Sequence, residues 1–374
     1  MHLKIKLYDM NNKNITFFIC SLGSGGAEHQ LTNLAHFLLD YAYNVQIVTF
    51  AEDEDHYPLN KNIKRIRLGI GKGKLGQMLD IWRFFLTLKT DVVISFGQRE
   101  NLFCLLPLLF RHGIKVIAGD RNTTYGKPSK TEKLLHSFFY RRASWIVPNS
   151  YAQGRYIKKE APKFADKVNT IINYTDINAY VAKPLPNNKP LRFGMFCRYN
   201  PQKNYERFAY AVKQVVDAGY QDFIIDWYGN TKLKASLANP HYEKLVSLVQ
   251  DLKIGHVLHL HDKISHVADE MARCDAIILP SLFEGFSNTI SEAISCGRSV
   301  LCGAVADNGV MIENGKNGFL FNPESVSEIA ESIQKYLDLS DEHKKQMSVY
   351  SRQKAEALFS KDRFVNSYIS LIEG

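Results

Sequence analysis

DAIILPSLFEGFSNTISEAISCGRSVLCG, residues 275–303, is the stretch on which the reading of this chain turns. Ala276 to Leu279 is an apolar run of strand length, and Pro280, which cannot donate to a central ladder, ends it. Thr289 to Cys296 has apolar residues at helical spacing, and Gly297 supplies the left-handed position that commonly closes a helix. Ser299 to Cys302 is a second strand. Strand, loop, helix and strand in this order place a loop at the carboxyl end of a parallel strand, where such folds bind ligands.

Glu284 and Glu292 stand eight residues apart, with Gly285, Phe286, Ser287 and Asn288 between them. Glycine beside a carboxylate lets a ligand approach the backbone closely. A helix start presents free N–H groups and the positive end of a dipole, which suits a diphosphate. A carboxylate there accepts hydrogen bonds from hydroxyls. The pattern fits a ligand with a phosphate middle and hydroxyl-rich ends. A competing reading makes Thr289-x-x-Glu292 a capping box, with Glu292 reaching back to the first amide. That reading leaves Glu284 and the Gly-Phe-Ser-Asn run unexplained.

The segment resembles the Glu-x7-Glu signature of the family-four retaining glycosyltransferases, with Ser299 where proline is usual. The resemblance implies the GT-B fold: α/β, two Rossmann-like doubly wound domains with an interdomain cleft. CRYNPQKN, residues 197–204, is similar to the same family's G-R-x-x-x-x-K-N element, with Cys197 in place of glycine. On that resemblance Arg198 and Lys203 neutralise the departing diphosphate; read alone, they are better taken as a pair of solvated charges. Ser21 to Gly26 resembles the family's glycine-rich opening, so Gly25 and Gly26 are expected beside the donor phosphates. Asp120 and Arg121, in GDRN (119–122), stand where many relatives carry a histidine and are the expected acceptor or reactive-centre contacts.

Length and alternation point the same way. A chain of 374 residues favours two domains. Strand and helix patterns alternate from Ile15 to Lys159, restart at Leu191, and are separated by the proline- and asparagine-rich stretch 171–190, which has a linker's composition. The expected division is 1–180 for an acceptor- and membrane-facing domain and 190–355 for a nucleotide-sugar domain, with 356–374 crossing back to the first. Six cysteines without metal spacing read as small core residues in a reducing compartment. No apolar run reaches membrane-spanning length, and the first residues lack a signal peptide's apolar core.

Charge is lopsided: 25 basic against 15 acidic residues in 1–180, but 22 against 23 in the rest. In residues 127–142, Leu134, Leu135, Phe138 and Phe139 share one helical side with Lys130, Lys133, Arg141 and Arg142 around them. Such a helix either packs on its own sheet or docks on anionic lipid. A basic surface also suggests nucleic acid, but no binding motif accompanies it.

The resemblance therefore implies a nucleotide-diphosphate sugar donor, most simply a UDP-hexose or UDP-N-acetylhexosamine, with Glu284 on the sugar and Glu292 on the ribose. It implies no metal and no further cofactor. The expected acceptor is a lipid-linked saccharide in surface-polysaccharide assembly, such as O-antigen or capsule. The enzyme is expected in the cytoplasm, peripheral at the inner face of the membrane. A sugar-nucleotide epimerase or a non-catalytic sugar-nucleotide-binding protein are the competing expectations.

Overall fold

Five largely apolar runs and one basic segment of the first half form β1 (Asn14–Phe18), β2 (Asn44–Thr49), β3 (Lys64–Arg67), β4 (Val92–Phe96), β5 (Lys115–Asp120) and β6 (Trp145–Pro148) in a computed structural model that describes residues 12–23, 25–51, 55–121, 128–186, 188–234 and 237–374. They pair in parallel in the order β3-β2-β1-β4-β5-β6, so the winding reverses between β1 and β4. The central strands are apolar throughout because helices cover both faces of the sheet. β3 is a strand where the sequence shows only a basic segment. It lies at the sheet edge, where charged side chains are tolerated and discourage further pairing, and Arg65 and Arg67 both pair with Asp55.

The second half repeats the plan. β7 (Leu191–Phe196), β8 (Phe223–Gly229), β11 (Leu258–Asp262), β12 (Ala276–Leu279), β13 (Ser299–Gly303) and β14 (Gly318–Phe321) form a parallel sheet in the order β11-β8-β7-β12-β13-β14. A small antiparallel pair, β9 (Lys232–Lys234) with β10 (Leu237–Ala238), lies outside it. Alternation along β8 sends Phe223, Ile225 and Trp227 into a core shared with Phe193, Met195 and Phe208. The reversal falls between β7 and β12, registered by Ala276 opposite Phe193, and this places the 275–303 stretch at the sheet's switch point.

The chain divides into two compact units, one of Met1–Asn173 with Asp362–Gly374 and one of Tyr174–Lys361. The stretch read as a linker thus belongs to the second unit from Tyr174 onward. Composition missed this because its anchors are distant in sequence. Thr175 Oγ1 donates to Ser291 Oγ at 2.9 Å, and one Arg352 nitrogen donates to the carbonyls of Ile177, Tyr180 and Ser295. In the first unit, the terminal helix Lys361–Glu373 is tied to the sheet through Lys13 with Glu373 and Lys115 with the Ile372 carbonyl.

The expected helix 129–142 is broken. It runs Lys130–Ser137, capped by a Ser129–Glu132 capping box, and gives way to a 3-10 turn at Phe139–Arg141. Leu135 is fully buried and Phe139 packs on the core, whereas Leu134 and Phe138 are exposed. The apolar side that the sequence groups together is divided between core and surface.

Candidate functional site

Two loops of the second unit converge at the carboxyl ends of β7 and β12. The first continues from β7 into the 3-10 turn Pro201–Lys203, whose start is capped by Asn200 accepting from the Lys203 amide. Asn204, in left-handed backbone at φ +59°, follows, and its side chain donates to the Pro323 carbonyl. The second loop leaves β12 at Pro280. Gln202 stitches the two together: its carbonyl accepts from the Leu282 amide at 2.9 Å and its side chain donates to the Phe283 carbonyl at 2.8 Å. The consequence is a close ion pair. Lys203 Nζ lies 2.5 Å from Glu284 Oε1, with the two side chains only 14% and 10% exposed. Arg198 is exposed, and no hydrogen bond or ion pair of its guanidinium is found among the described residues.

The second loop ends in the helix Asn288–Ser295, closed at Gly297 with φ +70°. Its N-cap is Ser287, which accepts from the Ile290 amide. The Thr289–Glu292 capping box is therefore absent: the N-cap falls two residues earlier, and Thr289 Oγ1 instead donates to the Phe196 carbonyl of β7 at 3.2 Å. Phe286 is buried edge-on against Phe359, Ser287 is buried as the cap, and Asn288 is exposed. Of this run, then, the side chains of Phe286 and Ser287 are committed to packing and to capping.

Glu292 is half-buried and accepts from the Tyr180 hydroxyl. Burial pushes its carboxyl up to about 7, against the stabilising bond from Tyr180, and burial beside Glu292 likewise raises the tyrosine. Tyr180 comes from the stretch composition reads as linker, and no sequence signal marks it. Burial also pushes the nearby Cys197 thiol up to about 12, so it stays protonated and inert.

The remaining predicted residues lie in the first unit. Gly25 caps the helix Gly26–Asp40 in extended backbone, and a Cβ there would lie 2.0 Å from Glu28 Oε2. Asp120, at the end of β5, is completely buried, accepting from Gln98 Nε2 and the Tyr140 hydroxyl, both at 3.5 Å. Arg121 donates to Asn173 Oδ1 at 3.0 Å and to the Tyr368 hydroxyl, with its guanidinium 4.0 Å above the Phe96 ring. Asn122 lies outside the described residues. A carboxylate the sequence reading passes over, Glu100, is buried beside Gly97 at the end of β4; burial raises its pKa and Glu28 adds to the rise. The structure thus brings Arg198, Lys203, Glu284 and the 285–292 segment onto one unit, and Gly25, Gly26, Asp120 and Arg121 onto the other.

Residues 176–354, nearly the whole second unit, match the family described as "Glycosyl transferases group 1". An uncharacterized glycosyltransferase of Methanocaldococcus jannaschii is 25% identical over 198 residues, a match spanning 52% of this chain and 51% of the relative. The N-acetylgalactosamine-N,N'-diacetylbacillosaminyl-diphospho-undecaprenol 4-alpha-N-acetylgalactosaminyltransferase of Campylobacter jejuni is 23% identical over 323 residues, covering 78% of this chain and 80% of that protein. Among solved structures, Anabaena HepE in complex with UDP superposes with a TM-score of 0.81 at 19% identity, over 96% of this chain and 99% of that one. The two six-stranded sheets with their helices are the two-domain α/β fold of GT-B glycosyltransferases.

Proposed function

We propose that this protein is a retaining, family-four glycosyltransferase that moves a sugar from a nucleotide-diphosphate donor, a UDP-hexose or UDP-N-acetylhexosamine, to a lipid-linked saccharide. The observation that carries this reading is the Lys203–Glu284 pair held at the start of the helix Asn288–Ser295. A cation, a carboxylate and free helix-end amides are the groups that a sugar diphosphate requires. In this reading the ion pair keeps both side chains positioned until the donor arrives. The β-phosphate then takes Lys203, and Glu284, released, accepts the hydroxyls of the sugar.

The steps follow from charge. Arg198 and Lys203 balance the negative charge that grows on the diphosphate as the anomeric C–O bond breaks, a stabilisation concentrated in the transition state. The acceptor hydroxyl attacks from the face the diphosphate leaves, loses its proton to the departing phosphate oxygen, and the anomeric configuration is retained. Ionised Glu292 accepts the ribose hydroxyls. Gly25 and Gly26 flank the phosphates and Arg121 supports the acceptor side; Asp120, completely buried against Gln98 and Tyr140, does not reach the acceptor as the sequence reading expects. No metal takes part.

The UDP in the HepE complex and the lipid-linked substrate in the Campylobacter relative's name support the donor and acceptor classes. The lopsided charge supports work at an anionic membrane in surface-polysaccharide assembly, and the exposed apolar side chains of the helix Lys74–Thr87 support it too. Leu75 (81% exposed), Met78 and Leu79 point outward beside Phe110 (69% exposed), with Lys74, Arg83 and Lys89 nearby. Among the described residues no helix is long and apolar enough to cross a membrane. The protein is incubated with a panel of UDP-sugars, with and without polyprenyl-diphosphate saccharides. Acceptor-dependent UDP release with an α-linked product from an α-linked donor is expected; donor conversion without acceptor would show an epimerase instead.

A further inference from the structure

His259 and His261 occupy alternate positions on β11, the edge strand of the second sheet, so both imidazoles lie on the same face. Asp226 on β8 pairs in register with His259 and projects from that same face, opposite to the one where Phe223, Ile225 and Trp227 enter the core. Asp226 Oδ1 lies 2.7 Å from His261 Nε2 and 3.5 Å from His259 Nδ1, and the three ligating atoms all fall within 4.8 Å of one another. The carboxylate is buried, whereas the imidazoles are partly exposed, so the cluster opens to solvent on one side.

We propose that Asp226, His259 and His261 form a binding site for a borderline transition-metal cation of the Zn2+ type. Two imidazoles two positions apart on one strand and a carboxylate on its neighbour are the nitrogen and oxygen donors that Zn2+, Co2+ and Ni2+ prefer, whereas Mg2+ and Ca2+ prefer all-oxygen shells. Three protein donors leave a fourth position for water. A ligand polyhedron about 2.0–2.2 Å from a central ion needs donor atoms about 3–3.5 Å apart, and the three donors lie within 4.8 Å of one another.

The surroundings fit an orienting shell. Arg192 Nε donates to the other carboxylate oxygen, Oδ2, at 2.6 Å, fixing the plane of Asp226 and leaving Oδ1 toward the imidazoles. Arg192 is also 3.5 Å from Glu270, so its positive charge is shared between two carboxylates and does not cancel Asp226 alone. Tyr228 accepts from Arg192 through its hydroxyl at 2.9 Å and stacks on His261 at 4.7 Å between centroids, fixing the ring's tilt. The same tyrosine stacks on Phe196, whose carbonyl receives Thr289 of the helix Asn288–Ser295. An ion here would tie the edge strand to β8 and stiffen the row of rings leading to that helix. The proposed transfer chemistry calls on none of these three side chains.

The test is binding, independent of turnover. The full chain, stripped with a chelator, is titrated with ZnCl2 by calorimetry and with CoCl2 by visible absorption, which reports ligand number through the intensity of the Co2+ bands. One Zn2+ per chain is expected, with His259→Ala and His261→Ala each weakening it by more than about tenfold. Far-ultraviolet circular dichroism and UDP binding show that the variants are folded; His259→Gln and His261→Gln are the milder changes should either alanine variant lose structure. Zn2+ affinity unchanged in folded His259→Ala and His259→Gln, or absence of a stoichiometric binding event in the parent protein, overturns the proposal.

Discussion

Lys203 Nζ and Glu284 Oε1 are separated by 81 positions in sequence and by 2.5 Å in space. Their meeting depends on Gln202, which bonds both the amide of Leu282 and the carbonyl of Phe283. The two residues to which the proposed chemistry assigns the β-phosphate and the sugar are therefore each other's partners, so on that proposal stability and activity are coupled at this point.

That coupling can be measured. Removing either partner leaves a mostly buried charge unpaired, so Lys203→Ala and Glu284→Ala should each destabilise the protein by about 3 kcal/mol, and the double variant by distinctly less than their sum. Urea unfolding of the four proteins completes the cycle. In turnover, each single change is expected to raise the barrier by about 2–4 kcal/mol. Unchanged kcat/KM in a folded Lys203→Ala protein would remove it from the proposed chemistry.

Under the proposed function, Glu292 predicts a pH dependence of donor binding. With its carboxyl at about 7, donor affinity that relies on the ionised form should fall as pH drops from 8 to 6. UDP titrated over that range is expected to lose affinity in the parent protein, whereas Glu292→Gln should bind weakly with a flatter profile.

The same shift has a stability consequence of defined sign. The folded value lies above the ordinary 4.5, so this group's contribution is complete below pH 4.5 and is lost as pH rises through about 7. Glu292→Gln, which cannot ionise, should be more stable than the parent at pH 8 by up to about 3 kcal/mol, with the advantage vanishing near pH 4. Thermal melts across this range check it.

Arg298 predicts a purely structural loss. It is completely buried, and its two terminal nitrogens donate to the carbonyls of Lys183, Gly297, Pro184 and Ala272. Arg298→Ala strands several buried acceptors and should cost at least about 3 kcal/mol in urea unfolding. Arg298→Lys should recover little, because an ammonium cannot reproduce the planar fork.

The outward face of the helix Lys74–Thr87 predicts membrane behaviour. Replacing Leu75, Met78 and Leu79 together by serine should reduce sedimentation with phosphatidylglycerol vesicles severalfold, and raised salt should weaken the parent's binding. UDP affinity should not change. Equal sedimentation of both proteins at low salt would remove this helix as the docking surface.

Most strands and helices were legible in the sequence because each carries its own periodicity: apolar runs such as Ile15–Phe18 and Ala276–Leu279, and stops such as Pro280 and Gly297. The break at Phe138 and the edge strand Lys64–Arg67 were not, since one depends on where the core ends and the other on which neighbour supplies its hydrogen bonds. The fold and the chemical character of the 275–303 loop were determined by the sequence alone, because backbone stereochemistry and apolar spacing act over a few residues. Only the tertiary structure decided that Lys203 and Glu284 are paired, that Tyr180 holds Glu292, and that Asp120 is sealed inside its sheet. Those facts rest on contacts between residues tens of positions apart, and a linear pattern carries no record of which distant side chains will share one low-dielectric space.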